Sequence, residues 1–262
     1  MEKSEEIINN LSNKFEKMRC KGIKFIRIPV WDEFANHIVY VNRFGSSEMK
    51  EVVCNFLDSM LKKNSMIYHI AKDTIIYRAR KIKRNEIKKN TEGIFEGFDE
   101  KNSGIPPYRE TPNGRVNIAG IPILYTATEK ETACAELRPM KNDYISVAEY
   151  KIIDDINVAN FVLEQIPNFE KEWGGQLFLK DMFRSFSLPI SNELIDYLPS
   201  EFISEYIRLK HTDLSGIRYS SLHNLGGYNV ALFDYKKCKF IKSTVVECSK
   251  VNYQYNELND IT

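Results

Sequence analysis

Three side chains of types that bind anions or take part in bond cleavage fall within one short stretch of this 262-residue chain. Arg115, Tyr125 and Glu136 lie in the segment 114–138, with spacings of ten and then eleven residues. A guanidinium forms paired, charge-assisted hydrogen bonds with anionic groups. A carboxylate stabilises positive charge that develops when a bond breaks. The spacing therefore predicts that these side chains belong to one site.

The local pattern predicts that a strand and a helix position them. Residues 121–127 form an apolar run of the kind found in buried strands. A helical pattern begins at Glu129, where Thr128 is a suitable N-cap and Glu131 completes the spacing of a capping box. Glu136 then falls on the second turn. Each residue also has an ordinary interpretation: Arg115 as a surface arginine, Tyr125 as a core residue and Glu136 as a solvated carboxylate.

A second informative segment lies far downstream, over residues 216–234. Two strand-like runs, 217–221 and 228–234, flank a loop that contains His223 and a Gly-Gly pair. Ser221 ends the first run and stands eight residues before Asn229 in the second run. The pattern predicts two strands joined by a loop that carries polar side chains.

Together, the two segments resemble the RES-domain family, which is named for its Arg, Glu and Ser. In that family a Gly-Arg is followed by a strand Tyr and then by a Glu, at the spacings that Arg115, Tyr125 and Glu136 have here. The family Ser precedes, by eight residues, an Asn that opens an apolar strand. This spacing assigns Ser221 and Asn229.

Two further residues enter through the same resemblance. Ser220 is the alternative to its neighbour Ser221. An Arg in the first strand of the family domain matches Arg78, in the segment 75–80. The resemblance extends over about residues 74–243, and its weakest part lies between residues 143 and 214.

The resemblance implies an enzyme that destroys NAD+, typically the toxin of a bacterial toxin–antitoxin pair. NAD+ is then a substrate, and no cofactor is expected. Arg115 and Arg78 suit a pyrophosphate or a second phosphate, and Tyr125 can stack on the nicotinamide or adenine. Glu136 would hold a ribose hydroxyl and stabilise an oxocarbenium-like transition state. Ser221 would position the substrate by hydrogen bonding and is not interpreted as a nucleophile.

The sequence leaves the acceptor open. Inorganic phosphate as co-substrate gives phosphorolysis, water gives NAD+ glycohydrolysis, and a protein side chain gives ADP-ribosyl transfer. We favour phosphate or water. Protein ADP-ribosyl transfer is the alternative among enzymes, and a non-catalytic binding or regulatory module is the alternative outside them.

The histidines and cysteines predict no metal site. His223 suits a general base because imidazole titrates near neutrality, although a loop histidine is an equally ordinary interpretation. No pair of candidate ligands has a metal-binding spacing, and the five cysteines are dispersed. An odd number of scattered cysteines indicates reduced thiols in a cytosolic protein. Cys134 is a conceivable nucleophile, with packing against the helix as its simpler role.

Composition bounds the partners. The acidic start of the chain does not fit a signal peptide, and no run of eighteen apolar residues occurs, so we expect a cytoplasmic protein without membrane association. A formal net charge of +1 gives no general attraction to nucleic acid. The glycines do not form a dinucleotide-binding fingerprint, which argues against a dehydrogenase.

The pattern of elements predicts the α+β class. Strands near both ends of the region with helices between them favour this class over a regularly wound α/β fold, and the resemblance implies a mixed β core similar to the ADP-ribosyltransferases. We predict a helical accessory region at 1–70, a catalytic domain at 71–250 and a tail at 251–262. Helical apolar stripes in the first region, which include Ile7, Ile8, Leu11 and Phe15, predict core packing or, alternatively, contact with an antitoxin or a second copy.

The segment 90–113 contains several glycines and prolines and lacks periodicity. It is predicted to be a long loop, and loops of that length are usually functional or mobile. Its position just before Arg115 predicts a lid over the site, with Tyr108 and Arg109 as contacts.

Overall fold

The computed structural model describes residues 30–167, 173–188 and 195–252. Ten strands and six α-helices lie in these ranges. The helices are α1 (Trp31–Asn36), α2 (Glu48–Lys62), α3 (Glu100–Ser103), α4 (Lys130–Ala135), α5 (Trp173–Ser185) and α6 (Leu198–Lys210). The strands are β1 (Ile67–Ile70), β2 (Ile75–Ile82), β3 (Lys88–Lys89), β4 (Phe95–Glu96), β5 (Leu124–Ala127), β6 (Tyr144–Ile152), β7 (Ile156–Phe161), β8 (Leu214–Ser220), β9 (Tyr228–Leu232) and β10 (Cys238–Glu247).

Eight of the strands form one mixed sheet, in the order β1-β7-β8-β9-β5-β2-β6-β10. Strands β7 and β8 pair in parallel, and the other neighbours in this sheet are antiparallel. A parallel pair needs a long crossover, and helices α5 and α6 lie in the connection between β7 and β8. Strands β3 and β4 form a separate small hairpin. The predicted α+β class is confirmed.

Each face of the sheet carries an apolar cluster. One cluster packs side chains of β7, β8 and β9 against helices α1, α2, α5 and α6, with Phe161, Phe183 and Phe186 fully buried at its centre. The other cluster consists of side chains from six strands, including Ile76, Leu124 and Val230. Burial on both faces leaves five of the six residues of β7 buried, on both sides of the strand.

The described part of the predicted accessory region shares the first of these clusters. Phe34 of α1 and Phe56 of α2 are buried there, and Phe56 packs edge-on against Phe178 of α5 at 5.4 Å between ring centroids. Strand β1, at the end of the same region, pairs with β7. The division at residue 70 stays a prediction, while the stripe around residues 7–15 and most of the predicted tail lie outside the described residues.

Two local predictions are wrong. Thr128 is not the N-cap of the motif helix, because Glu129 occupies that position without a side-chain capping bond and the Thr128 hydroxyl faces the carbonyl of Tyr228 on β9 at 3.3 Å. The segment 90–113 is not one featureless loop, since it contains β4, α3 and a 3₁₀ turn at Tyr108–Glu110. Asp99 caps α3 through a bond from the Asn102 amide to its carboxylate at 2.8 Å.

Candidate functional site

Glu136 lies at the C-cap of α4, and one of its carboxylate oxygens receives two side-chain donors. The Ser221 hydroxyl and the Asn229 amide nitrogen both lie 2.7 Å from Oε1. No hydrogen bond is found for Oε2 among the described residues. Two short bonds to one oxygen fix the carboxylate and leave the other oxygen free to accept from a ligand.

The sheet register places Asn229 beneath this helix. Asn229 on β9 pairs with Tyr219 on β8 and with Ala127 on β5, so these residues form one row across the sheet. Helix α4 packs over β2, β5 and β9. Asn229 is only 4% exposed. Its side-chain amide donates to the Glu136 carboxylate from the side of the sheet on which α4 packs.

The loop between β8 and β9 fixes Ser221. The Ser221 oxygen accepts bonds from the backbone N–H groups of His223 and Asn224 at 3.2 and 3.1 Å, so its own hydrogen is directed to Glu136. The Asn224 side chain anchors the loop to α4 by donating to the Thr132 hydroxyl at 2.8 Å. Gly227 is required at this crossing, because an added Cβ would lie 2.2 Å from the Thr132 hydroxyl.

Tyr125 of β5 supports the loop that carries Arg115. Its hydroxyl donates to the side-chain oxygen of Asn117 at 2.7 Å and accepts from the Val116 backbone N–H at 3.0 Å. Burial raises the pKa of this phenol well above its usual value, so the group stays protonated and can make both bonds. The Tyr125 hydroxyl is thus occupied in holding the chain on both sides of Val116.

We expect Tyr125→Phe to lower the free energy of unfolding by about 1–3 kcal/mol, because it leaves a backbone donor and an amide oxygen without their partner. Urea denaturation measures this loss. Tyr108→Phe is the matched control, since Tyr108 is 73% exposed and its hydroxyl has no hydrogen-bond partner within the described residues. Equal stability of the two variants would contradict a supporting role for the Tyr125 hydroxyl.

Arg115 reaches from that loop to the end of α5. Its guanidinium donates to the backbone carbonyl of Ser185 at 3.1 Å and to that of Leu188, and it lies over the Tyr197 ring at 5.4 Å. Among the described residues, no carboxylate forms an ion pair with Arg115. A cation held by carbonyl groups keeps its net charge, and this charge is available to an anionic ligand.

Arg78 lies on β2, directly after the single residue that pairs with β5. These strands share one residue pair, Tyr77 with Ala127, and the Arg78 guanidinium donates to the Tyr125 carbonyl at 2.9 Å. Burial, with a smaller contribution from neighbouring Arg80, lowers the pKa of Arg78 to about 10. The side chain therefore remains protonated at neutral pH while it holds the Tyr125 carbonyl.

Two cavities meet at Glu136. Cavity 1, of about 290 Å³, is lined by Arg115, Glu136, Arg138, Phe186, Ser187, Tyr197, Tyr219, Ser220, Leu222, His223 and Asn229. Cavity 2, of about 250 Å³, is lined by Tyr77, Arg78, Ala79, Tyr125, Thr126, Ala127, Ala133, Glu136, Leu137, Tyr219 and Asn229. They share Glu136, Tyr219 and Asn229, so the carboxylate stands between a strongly polar space and a more apolar one.

The remaining predicted side chains divide between the site and its surroundings. The Ser220 hydroxyl donates to Glu164 at 3.0 Å and accepts from the Leu163 backbone N–H at 2.9 Å, so it is not bonded to Glu136. His223 lines cavity 1 and accepts a bond from Arg138 at 3.1 Å. Neither Tyr108 nor Arg109 lines either cavity, so the structure gives no support to the predicted lid.

Sequence reasoning missed Tyr219 and Arg138. Tyr219 follows Ile217 at the alternate spacing that places both on the same face of β8, and this spacing could have identified it. Arg138 stands two residues after Glu136. Its backbone φ of +46° lies in the left-handed region. Because arginine rarely adopts this conformation, the residue type gives no sign of the direction in which the side chain points.

The structure shows no group of three metal-ligating side chains among the residues it describes. Burial raises the pKa of the Cys134 thiol, which does not favour a thiolate nucleophile. Within the same ranges, no helix is long and apolar enough to cross a membrane.

Comparison with known proteins gives one match. A family model described as the RES domain matches residues 77–256. No curated protein and no solved structure matches the chain significantly. The matched range covers more than half of the chain, begins within β2, and contains the Glu136 carboxylate and both of its side-chain donors. The chain therefore belongs to the RES-domain family.

Proposed function

We propose that this protein degrades NAD+ by cleaving the bond between nicotinamide and ribose, with inorganic phosphate or water as the acceptor, and that it acts as a bacterial toxin. The observation that carries the proposal is the Glu136 carboxylate, fixed by Ser221 and Asn229 at the junction of the two cavities. Membership of the RES-domain family supports action on NAD+ in general terms.

The two cavities suit different parts of the dinucleotide. Cavity 2 is lined by Tyr77, Tyr125 and several small apolar residues, which suit a flat aromatic ring such as nicotinamide. Cavity 1 contains Arg115, which suits the phosphoryl oxygens of the pyrophosphate. The ribose between these groups then lies against Glu136, where the bond to nicotinamide breaks.

The chemistry at Glu136 follows from the charge that develops on the ribose. As the bond to the cationic nicotinamide breaks, the electron pair leaves with the ring and positive charge appears on the ribose carbon and ring oxygen. A fixed carboxylate stabilises this charge, and its free oxygen can also accept a ribose hydroxyl. Because Ser221 and Asn229 orient the carboxylate beforehand, little reorganisation is needed during the reaction.

A protein side chain is the second candidate for the acceptor, and one surface feature favours it. Leu222 lines cavity 1 and is 38% exposed, and Leu225 in the same loop is 94% exposed. Exposed leucines beside a reactive site are suited to contact another protein. A protein acceptor would make the reaction an ADP-ribosyl transfer with the same donor site.

The proposed toxin activity carries further expectations. NAD+ is the substrate and inorganic phosphate is the expected co-substrate, with no bound cofactor. An antitoxin protein is the expected partner, homodimers are an expected assembly, and the cytoplasm is the expected compartment, because that is where NAD+ would be consumed.

Measuring NAD+ loss by the purified full-length chain, with and without inorganic phosphate, tests the proposal. Phosphorolysis should yield nicotinamide and ADP-ribose phosphorylated at the former glycosidic carbon, whereas hydrolysis should yield nicotinamide and ADP-ribose. We expect Arg115→Ala to reduce kcat/KM by about 10- to 100-fold, as for loss of a charge-assisted contact. Label that stays on protein would instead identify ADP-ribosyl transfer. Absence of nicotinamide release under every condition, in correctly folded protein, would refute the proposed function.

A further inference from the structure

We propose that Arg138 is a second anion-binding residue of cavity 1, which acts with Arg115 on phosphoryl oxygens and is aimed by His223. This assignment deepens the proposed function and rests on it. Arg138 is not one of the residues that the sequence motif identified. Three features of Arg138 support this role: its position at cavity 1, its side-chain bond to His223 and its backbone conformation.

The position of Arg138 brings two guanidinium groups to one cavity. Arg115 approaches cavity 1 from the loop before β5, and Arg138 approaches it from the end of α4, two residues beyond Glu136. Neither arginine forms an ion pair with a carboxylate in the part of the chain that the structure describes. Two unneutralised cations around a space of about 290 Å³ favour an anion that can accept from both.

The hydrogen bonds of Arg138 leave most of its donors available. The Nε group donates to the Nε2 atom of His223 at 3.1 Å. No partner is found among the described residues for its two terminal nitrogens, which carry four of the five guanidinium N–H groups. A planar pair of such donors matches the oxygens of a phosphate or a pyrophosphate.

The bond from Arg138 defines the role of His223 in this arrangement. Because the Arg138 guanidinium can only donate, the Nε2 atom of His223 is the acceptor of this bond. His223 is therefore a positioning residue for Arg138 here and does not need to act as a general base.

The backbone conformation is consistent with a directed side chain. Arg138 has a φ of +46°, in the region that residues with a Cβ rarely adopt. Its N–H donates to the Ala135 carbonyl at 2.9 Å, and its carbonyl accepts from Lys81 at 3.3 Å. Both backbone polar groups of Arg138 are therefore hydrogen-bonded, and these bonds hold the residue in a strained conformation. In this conformation its side chain lines cavity 1 beside Glu136.

Titration calorimetry with two probes tests the assignment. We expect Arg138→Ala to weaken binding of ADP-ribose, of inorganic phosphate, or of both by about 10- to 100-fold, as for a lost charge-assisted hydrogen bond. Arg138→Lys should restore part of the affinity, since it keeps the charge but not the paired geometry. Weakened ADP-ribose binding alone assigns Arg138 to the substrate pyrophosphate, and weakened phosphate binding alone assigns it to the acceptor phosphate.

Two controls separate anion binding from general damage. Arg84→Ala removes an exposed arginine that lines neither cavity, and this variant should bind both probes as the unaltered protein does. His223→Ala should weaken binding less than Arg138→Ala, and it should have almost no further effect when Arg138 is already alanine, because the two residues act as a unit. Additive losses in the double variant would overturn the positioning role of His223.

The outcomes distinguish this inference from the proposed function. If the protein releases nicotinamide from NAD+ and Arg138→Ala binds both probes normally, the assignment of Arg138 is wrong and the proposed function stands. If the protein binds ADP-ribose or phosphate through Arg138 but never releases nicotinamide, the anion site stands and the proposed reaction fails.

Discussion

Glu136→Gln is expected to reduce kcat for NAD+ cleavage by about 10²- to 10³-fold, the magnitude typical of removing one preorganised electrostatic contact from a transition state. The substitution preserves the shape of the side chain, and its carbonyl oxygen can still accept from Ser221 and Asn229. What it removes is the negative charge. Steady-state rates of nicotinamide release, measured at saturating NAD+, provide the test.

Glu131→Gln is the matched control for this experiment. Glu131 lies on the same helix, is exposed, and lines neither cavity, so its substitution should leave kcat unchanged. Circular dichroism should show that both variants are folded. Full activity of Glu136→Gln would mean that the carboxylate charge does not act on the ribose, and the proposed mechanism would have to be abandoned.

Phe34→Ala is expected to lower the free energy of unfolding by about 3–5 kcal/mol, because it removes a fully buried ring and leaves a cavity. Phe34 packs against Trp31 at 5.6 Å and against Phe202 of α6 at 5.5 Å between ring centroids. Since α6 belongs to the crossover between β7 and β8, the loss should destabilise the sheet together with α1. Calorimetry should therefore show one cooperative transition at a lower temperature.

Phe44→Ala controls for the loss of an aromatic ring from the same region. Phe44 is 94% exposed, and we expect its substitution to change stability by less than about 0.5 kcal/mol. The contrary result in calorimetry of Phe34→Ala would be two transitions, of which only the first moves to a lower temperature. That outcome would show that the region before residue 70 unfolds as an independent unit. That result would support the division predicted from the sequence.

Much of the site could be predicted because its motifs are local. The spacing from Arg115 through Tyr125 to Glu136 spans one loop, one strand and one short helix, and the spacing from Ser221 to Asn229 spans one hairpin loop. Within such short segments, alternation along strands and the turn length of helices fix relative positions. The boundaries were less predictable, as the N-cap at Glu129 shows, because capping depends on contacts with β9.

The sequence by itself determined the α+β class, the strand and helix that carry Tyr125 and Glu136, and the family resemblance. Only the tertiary structure decided which side chains meet: that Ser221, and not Ser220, bonds to Glu136, that Arg78 and Arg115 line different cavities, and that Arg138 lines cavity 1. The physical reason is that these contacts join residues far apart in the chain. The Ser221 to Glu136 bond spans 85 residues and depends on the register of β8, β9 and β5, which no local pattern encodes.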